Sequence, residues 1–193
     1  MPAPKPLIVM ALPQESRGRL EAAGADLLYT GVGKVNAAAA LARRLAEIRS
    51  AARPLPLVVN MGTAGSRKQL AHTLVVCNKF LQRDMDVSGL GFAPGVTPFD
   101  DAPPVLEFPP VLVNLPQRTC STADSFATHH HEVSGDVVDM EAFALARVCV
   151  AERARFACVK YVTDGADADS AAHWEAALDA ASLAFERVYK ELL

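Results

Sequence analysis

The sequence predicts an α/β fold, with a central mixed, largely parallel sheet between layers of helices. Short apolar segments typical of strands alternate with longer segments typical of helices, the pattern of a largely parallel sheet. The first of them, Leu7–Leu12, is apolar throughout, as expected of a strand covered on both faces. The 193 residues suit one domain, and we find no linker, repeat or low-complexity tract, so we predict a single domain over residues 1–193.

Five segments are predicted as strands because each is short, rich in apolar residues and bounded by proline, glycine or a turn. Leu7–Leu12 is closed by Pro13, and Leu57–Met61 lies between Pro56 and a glycine-rich turn. In chain order the predicted strands are Leu7–Leu12, Asp26–Thr30, Leu57–Met61, Leu74–Leu81 and Phe156–Thr163.

Four segments are predicted as helices. Gln14–Ala23 ends before a glycine, the residue favoured just beyond a helix, and Lys34–Arg49 is rich in alanine and follows a glycine turn. Val137–Glu152 is apolar almost all round, which predicts a buried helix, and Ala171–Leu193 closes the chain. Gln82–Pro116 is rich in glycine, proline and aspartate, so we predict loops around a site there.

Charge and composition exclude several classes of function. Lys and Arg number 19 against 22 Asp and Glu, so we expect no nucleic-acid partner, which would call for a basic excess. No apolar run approaches the ~20 residues of a membrane helix, and the short first run does not resemble a signal peptide, so no membrane partner is expected. The four cysteines form no CxxC pair, which predicts buried small hydrophobes and a reducing cytosol rather than a zinc or dithiol site.

Three familiar motifs are incomplete. Gly31-Val-Gly33 opens a helix as in a dinucleotide-binding turn, but Asn36 stands where the third glycine is needed. Lys34 is followed by valine rather than by the Ser or Thr of a P-loop. The run His129–His131 cannot direct all three rings at one ion on regular backbone, so we predict a polar surface loop. We therefore expect no metal ion and no cofactor.

Three carboxylates stand at the ends of predicted elements, where open α/β sheets place their sites. Asp164 follows a strand and could act as a general acid. Glu141 lies in the first turn of a helix and could accept hydrogen bonds from both hydroxyls of a ribose, and Glu15 follows the first strand and could deprotonate a water. Taken singly, a turn or helix-dipole role is the simpler interpretation of each residue.

The three carboxylates also belong to a series of motifs. In order along the chain, these motifs resemble those of the nucleoside phosphorylase/nucleosidase family, most closely the 5′-methylthioadenosine/S-adenosylhomocysteine nucleosidases. Any one match is weak, but six in the right order are specific. They are Ala11-Leu-Pro-Gln-Glu15, Thr30-Gly-Val-Gly-Lys-Val35, Asn60-Met-Gly-Thr-Ala-Gly65, Arg83-Asp-Met-Asp-Val87, Val138-Asp-Met-Glu-Ala142 and Val162-Thr-Asp-Gly-Ala-Asp167.

The resemblance implies a role for each residue of a site. Asp164 would protonate or hydrogen-bond N7 of a purine leaving group, Glu141 would bind the ribose hydroxyls, and Glu15 would activate the attacking water. Phe126 would stack on the base, whose edge the backbone of Ala127 would read. The further substrate-binding residues that it implies are Val32, Thr63, Ala64, Gly65, Asp139, Met140, Thr163 and Trp174.

The resemblance also implies a fold and an assembly. We expect the three-layer phosphorylase/hydrolase-like fold, a homodimer and a cytoplasmic enzyme of nucleoside metabolism and methionine salvage. The family is longer between Glu15 and Thr30 and between Phe92 and Cys120, which predicts a sheet trimmed by about two strands. Arg83 stands where the family has a histidine.

The expected activity is hydrolysis of the N-glycosidic bond of a purine nucleoside such as methylthioadenosine or S-adenosylhomocysteine. A phosphorylase of the same fold is the alternative, and would need arginines around a phosphate; Arg17, Arg67 and Arg83 are available. Because phosphate needs no base, Glu15 favours hydrolysis. A nucleoside-binding protein without turnover is a third interpretation.

Overall fold

A computed structural model describes residues 4–125, 135–166 and 170–193 of the protein. The eight strands found in these residues belong to one mixed sheet. Five of the eight strand pairings are parallel: β1 with β2 and β3, β3 with β8, and β6 with β4 and β7. The predicted mixed, largely parallel sheet is therefore confirmed. The strands are β1 (Leu7–Met10), β2 (Asp26–Tyr29), β3 (Val58–Gly65), β4 (Leu74–Gln82), β5 (Val105–Glu107), β6 (Gln117–Thr122), β7 (Val137–Asp139) and β8 (Phe156–Asp164).

Part of the sheet closes on itself. β8 lies between β3 and β4, β4 pairs with β6, β6 with β7, and β7 returns to β3 through the single pair Gly65 and Val138. β1 and β2 extend the sheet from β3, and β5 adds an edge strand to β4. This ring brings the ends of distant strands together around one opening.

Helices cover both faces of the sheet and give three layers. Along β1, Leu7 and Val9 point into one core with α3 and α4, while Ile8 and Met10 point into a second core with α5. The alternation explains why this strand is apolar at every position. The helices are α1 (Pro13–Ser16), α2 (Arg19–Ala22), α3 (Lys34–Ser50), α4 (Ala142–Glu152) and α5 (Ser170–Glu191).

The predicted helix Val137–Glu152 is wrong at its start. Val137–Asp139 forms strand β7, and α4 begins only at Ala142. A short apolar run fits a helix or a strand equally well, and here pairing with β6 decides. The Asp139 carboxylate accepts the backbone N–H of Ala142 at 2.8 Å and so caps the first turn of α4.

Two more predictions need correction. The segment Gln14–Ala23 is not one helix but two short helices, because Arg17 and Gly18 adopt positive φ angles of 48° and 75° between them. The predicted loop region contains the edge strand β5, and the polar segment Gln117–Thr122 forms β6. These strands lack the apolar runs by which the others are recognised, and long-range pairing forms them.

The part of the chain that the structure describes contains neither a membrane-spanning helix nor a metal site. No helix there is long and apolar enough to cross a membrane, and no cluster of metal-ligating side chains occurs. All four cysteines are free and buried, as predicted. His129–His131 lie outside the described residues. The trimming of the sheet by about two strands stays a prediction.

Candidate active site

One cavity of about 260 Å³ opens at the ring formed by the strand ends. Every described residue that the sequence predicts for the site lines this cavity, while Phe126 and Ala127 lie outside the described residues. The lining residues that were predicted are Glu15, Val32, Thr63, Ala64, Gly65, Asp139, Met140, Glu141, Thr163, Asp164 and Trp174. The fold thus assembles residues from six separate segments into one pocket.

Glu15 is buried and firmly oriented. It follows β1 in α1, and its Oε1 accepts hydrogen bonds from the backbone N–H and the hydroxyl of Thr63, at 2.8 and 2.9 Å. Oε2 accepts the N–H of Leu12 at 3.2 Å. The Thr63 hydroxyl in turn accepts Trp174 Nε1–H at 2.9 Å, so a chain of hydrogen bonds from α5 fixes this carboxylate.

Asp164 lies at the end of β8, where β8 and β3 come very close. Its Oδ2 accepts the Thr163 hydroxyl at 2.6 Å and its Oδ1 accepts the N–H of Ala166 at 2.9 Å. A Cβ on Gly65 of β3 would lie 2.7 Å from Oδ1, inside van der Waals contact. Only glycine at position 65 leaves room for the carboxylate.

Glu141 stands immediately before α4, at the turn where the chain leaves β7. Its Oε1 accepts the N–H of Gly33 at 2.8 Å, which joins it to the turn before α3. Burial, together with the negative charge of Asp139, raises the pKa of Glu141 to about 7. This carboxyl is therefore close to its titration point at neutral pH.

Lys160, which the sequence interpretation did not single out, forms a buried ion pair with Asp139. The Lys160 Nζ lies 2.8 Å from Asp139 Oδ2, and both side chains are almost inaccessible to water. Burial opposes both charges, yet the mutual attraction holds the pKa of Asp139 below and that of Lys160 well above their usual values. A single charge in the middle of the otherwise apolar run Phe156–Val162 is the signal that could have found Lys160.

The Asp139 carboxylate is already occupied by protein groups. Besides Lys160 it accepts the Thr122 hydroxyl at 2.5 Å and the N–H of Ala142. It lines the cavity, but its hydrogen bonds hold β6, β7 and α4 in place. Contact of Asp139 with a substrate stays a prediction.

Lys34 connects three loops beside the cavity. Its Nζ lies 2.6 Å from Asp84 Oδ1, after β4, and 3.8 Å from Asp124 Oδ2, after β6. Its own backbone N–H donates to Asp124 Oδ1 at 2.8 Å. These contacts hold the turn that presents Gly33 to Glu141.

The described residues make a pocket in which acids and bases can act on a bound molecule. Its lining is mostly apolar, and four carboxylates border it: Glu15, Asp139, Glu141 and Asp164. Such carboxylates can donate and accept protons on opposite sides of a bound molecule.

Comparisons with known proteins agree with the motifs. No protein-family model matches this chain. Two 5′-methylthioadenosine/S-adenosylhomocysteine nucleosidases, from Geobacillus kaustophilus and Geobacillus thermodenitrificans, are each 29% identical to it, over 86% and 91% of this chain and 78% and 81% of theirs. The predicted resemblance to the nucleoside phosphorylase/nucleosidase family is thereby confirmed.

Solved structures of such nucleosidases share the fold. The enzyme from Colwellia psychrerythraea in complex with adenine superposes with a TM-score of 0.84 at 22% identity, over 99% of this chain and 95% of that one. Futalosine hydrolase from Helicobacter pylori superposes with a TM-score of 0.83 at 18% identity, over 97% of each chain. The expected phosphorylase/hydrolase-like fold is confirmed.

Proposed function

We propose that the protein hydrolyses the N-glycosidic bond of a purine nucleoside, with thioether nucleosides such as methylthioadenosine or S-adenosylhomocysteine as substrates. The observation that carries the proposal is the convergence of Glu15, Glu141 and Asp164 on one cavity. All three lie in motifs that resemble those of the nucleosidases.

Asp164 is assigned to the leaving base and Glu141 to the sugar. Cleavage of the bond builds negative charge on the base and oxocarbenium character on the sugar. Asp164 protonates or hydrogen-bonds N7 of the purine, and Glu141, with the Met140 side chain beside it, binds the ribose hydroxyls. An acid at the base and a carboxylate at the sugar stabilise the two developing charges. In this assignment Phe126 and Ala127 bind the base.

Glu15 is assigned to the attacking water. Its carboxylate is held by Thr63 and Leu12 while it borders the cavity, so it is preorganised to accept a proton. A Cβ on Gly62 would lie 3.3 Å from Glu15 Oε1 and 3.4 Å from Lys160 Nζ, so the two charged groups face the same small space. The glycine there keeps that space open for a water molecule.

Phosphorolysis is the second candidate, and the positions of the arginines do not favour it. Of the three that the sequence offers, Arg83 alone lines the cavity. Arg67 donates from Nε and Nη2 to the carbonyl of Ala166, and Arg17 is exposed between α1 and α2. A single guanidinium among three carboxylates is a poor site for a phosphate dianion.

Glu15→Gln separates hydrolysis from phosphorolysis. The amide keeps the shape of the side chain but cannot accept a proton, so hydrolysis should lose ~10²–10⁴-fold in kcat while substrate affinity changes little. Phosphate arrives as an anion and needs no base, so phosphorolysis should survive. The measurement is release of free base from adenosine, inosine, methylthioadenosine and futalosine, at zero and at high phosphate.

Glu107→Gln, an exposed change on the edge strand β5, is the control and should leave base release unchanged. Phosphate-dependent release that survives Glu15→Gln would overturn hydrolysis in favour of the phosphorylase. Binding of nucleosides without any release of base would favour the third interpretation, a nucleoside-binding protein without turnover.

The assembly and cellular role are further parts of the proposal. We infer a homodimer in which the glycine- and proline-rich segment Arg83–Asp101 contacts a second copy, since such a segment is readily ordered by a neighbour. A nucleosidase acting on methylthioadenosine would serve methionine salvage in the cytoplasm. No cofactor, metal, nucleic acid or membrane enters this assignment.

A further inference from the structure

Trp174 lines the cavity from near the start of α5, and the proposed hydrolysis assigns no step to it. Its indole Nε1–H donates to the hydroxyl of Thr63 at 2.9 Å, and that hydroxyl donates to Glu15 Oε1 at 2.9 Å. Trp174 is the single tryptophan of the sequence, and its side chain is half-buried. The indole therefore connects α5 to the carboxylate assigned to the attacking water.

The direction of each hydrogen bond in this chain follows from the chemistry of the three groups. An indole nitrogen can only donate, and an ionised carboxylate can only accept. The Thr63 hydroxyl has one hydrogen and two lone pairs, so it accepts from Trp174 and gives its hydrogen to Glu15. With the carboxylate ionised, no other placement of that hydrogen keeps both hydrogen bonds.

The indole N–H also strengthens the bond that it does not itself make. A hydroxyl that accepts a hydrogen bond becomes a better donor, because successive hydrogen bonds polarise one another. Glu15 is buried, where such bonds are stronger than in water. Its Oε1 accepts the backbone N–H of Thr63 at 2.8 Å as well, so Trp174 acts on one of two donors that hold this oxygen.

We propose that Trp174 is a positioning residue of the hydrolysis: its N–H directs the Thr63 hydroxyl to donate to Glu15 and so holds this carboxylate as the acceptor of the proton from water. The proposal rests on the proposed function, because it takes Glu15 as the base. It goes further by giving Trp174 and Thr63 a role at the attacking water, whereas the resemblance gives them one at the substrate.

Two replacements of Trp174 remove the donor. Trp174→Phe keeps an aromatic ring of smaller size. Because the sequence has a single tryptophan, growth of a tryptophan auxotroph on 3-benzothienylalanine changes position 174 alone and puts a sulfur in place of the N–H at nearly constant shape. Adenine release from methylthioadenosine by the full chain gives kcat and KM for each form.

The benzothienyl form should lose about 3- to 10-fold in kcat, the factor that one net hydrogen bond contributes, and its KM should change by less than about 2-fold. Trp174→Phe should lose at least as much kcat. Tyr189→Phe is the matched control, because it also removes a donor from α5, whose bond to the Gly24 carbonyl at 3.4 Å lies outside the cavity lining. It should change neither constant.

A double-mutant cycle tests whether Trp174 acts through Thr63. Thr63→Val removes the hydroxyl, so Trp174→Phe should cause no further loss of kcat in that chain. Thr63→Ser keeps a hydroxyl, and in that chain Trp174→Phe should again cost about 3- to 10-fold. A role of Trp174 in the wall of the pocket alone would give the same factor in every background.

The hydrogen bond can also be observed without turnover. The single tryptophan gives one indole N–H signal in a ¹H–¹⁵N spectrum of the labelled chain. A hydrogen-bonded, half-buried N–H is protected from exchange, so exchange of this signal should be at least about 10-fold faster in Thr63→Val than in the wild type.

Three outcomes would overturn the role of Trp174. They are an unchanged kcat in the benzothienyl form, losses that add in full in the double variant, and a rise of KM at constant kcat. Equal exchange of the indole N–H in wild type and Thr63→Val would contradict the hydrogen bond itself. A wild-type chain that releases no base would reject the proposed function, whereas base release that does not need the indole N–H rejects only the role of Trp174.

Discussion

Asp164 and Glu141 differ in how the protein holds their carboxyl groups. Asp164 accepts hydrogen bonds from a side chain and a backbone group of its own segment, Thr163 and Ala166. Glu141 accepts its one described bond from a distant turn, at Gly33, and lies close to another acid, Asp139. Asp164 is therefore tested by the rate of base release, and Glu141 by the pH dependence of stability.

Asp164→Asn should abolish base release while nucleoside binding survives. The amide still hydrogen-bonds N7 but cannot deliver a proton, and general acid catalysis commonly contributes ~10²–10⁴-fold. Single-turnover release of base and calorimetric binding measure the two effects separately. The control is Glu191→Gln, at the exposed end of α5. Near-wild-type turnover in Asp164→Asn would place the acid elsewhere.

Glu141→Gln should stabilise the protein at alkaline pH when no nucleoside is added. Because the pKa of Glu141 is raised to about 7 in the fold, from a usual value of 4.5, the folded state binds more protons between these values. Stability that is present below pH 4.5 is thus lost as pH rises through 7. Removing the titration should raise the free energy of unfolding by on the order of 2 kcal/mol at pH 8 and by much less at pH 5.

Urea unfolding of both chains at the two pH values measures this difference. Glu107→Gln, on an exposed position, should give the same small change at each pH. A Glu141→Gln effect that does not depend on pH would contradict the raised pKa. If the same variant also lost nucleoside binding, the carboxyl of Glu141 would be needed for binding although it destabilises the fold.

At the scale of the elements, the site depends on how closely strands β3 and β8 approach. The two strands pair over their whole length, with an irregularity at Ala64 and Gly65, where Asp164 is the partner of Gly65. The Cβ position of Gly65 is also 3.1 Å from the Ala166 Cβ and 3.3 Å from a methyl group of Val138. One added methyl group would therefore disturb β3, β7 and β8 together.

Gly65→Ala should impair both the acid and the fold. Moving Asp164 away from the new methyl group should lower base release at least ~10-fold, and overpacking should cost about 1–3 kcal/mol of stability. Gly89→Ala is the matched control, because its Cβ would meet nothing within 4 Å of its own chain and its φ is not positive. Light scattering on this variant should show the same assembly as the wild type, since Gly89 lies in the segment proposed to contact a second copy. Equal base release by the two variants would contradict this prediction, since it would show that β3 and β8 can move apart without loss of activity.

At the scale of the whole molecule, the predicted contact with a second copy involves exposed apolar side chains. Phe99 is 97% exposed and stacks edge-on against Phe92, and Leu90 is 73% exposed in the same segment. Covering large apolar side chains with a partner lowers the free energy, because apolar surface is removed from water. They are therefore the positions at which the homodimer can be tested.

The wild-type chain should be a dimer by light scattering at micromolar concentration, and the double change Leu90→Ser and Phe99→Ser should shift it towards monomer. Leu70→Ser, at an equally exposed position in a different loop, should leave the dimer intact. A wild-type monomer under these conditions would refute the assembly.

The features that depend on local pattern were predictable from the amino-acid sequence. Glu15, Glu141 and Asp164 stand beside apolar segments or within short motifs, so their clustering at the ends of elements was predictable. β1 and β8 were predictable for the same reason, because strands buried on both faces are continuous apolar runs. The motifs also indicated a resemblance to the nucleosidases, and the comparisons confirmed this resemblance.

The features that depend on distant partners became apparent from the three-dimensional structure alone. β6 is polar and β7 has three residues, and both are strands because they pair with each other and with β4 and β3. The ion pair of Lys160 with Asp139 and the hydrogen bond from Trp174 to Thr63 likewise depend on which side chains the fold brings close. Pairing and burial join residues far apart in the chain, and neither periodicity nor composition encodes them.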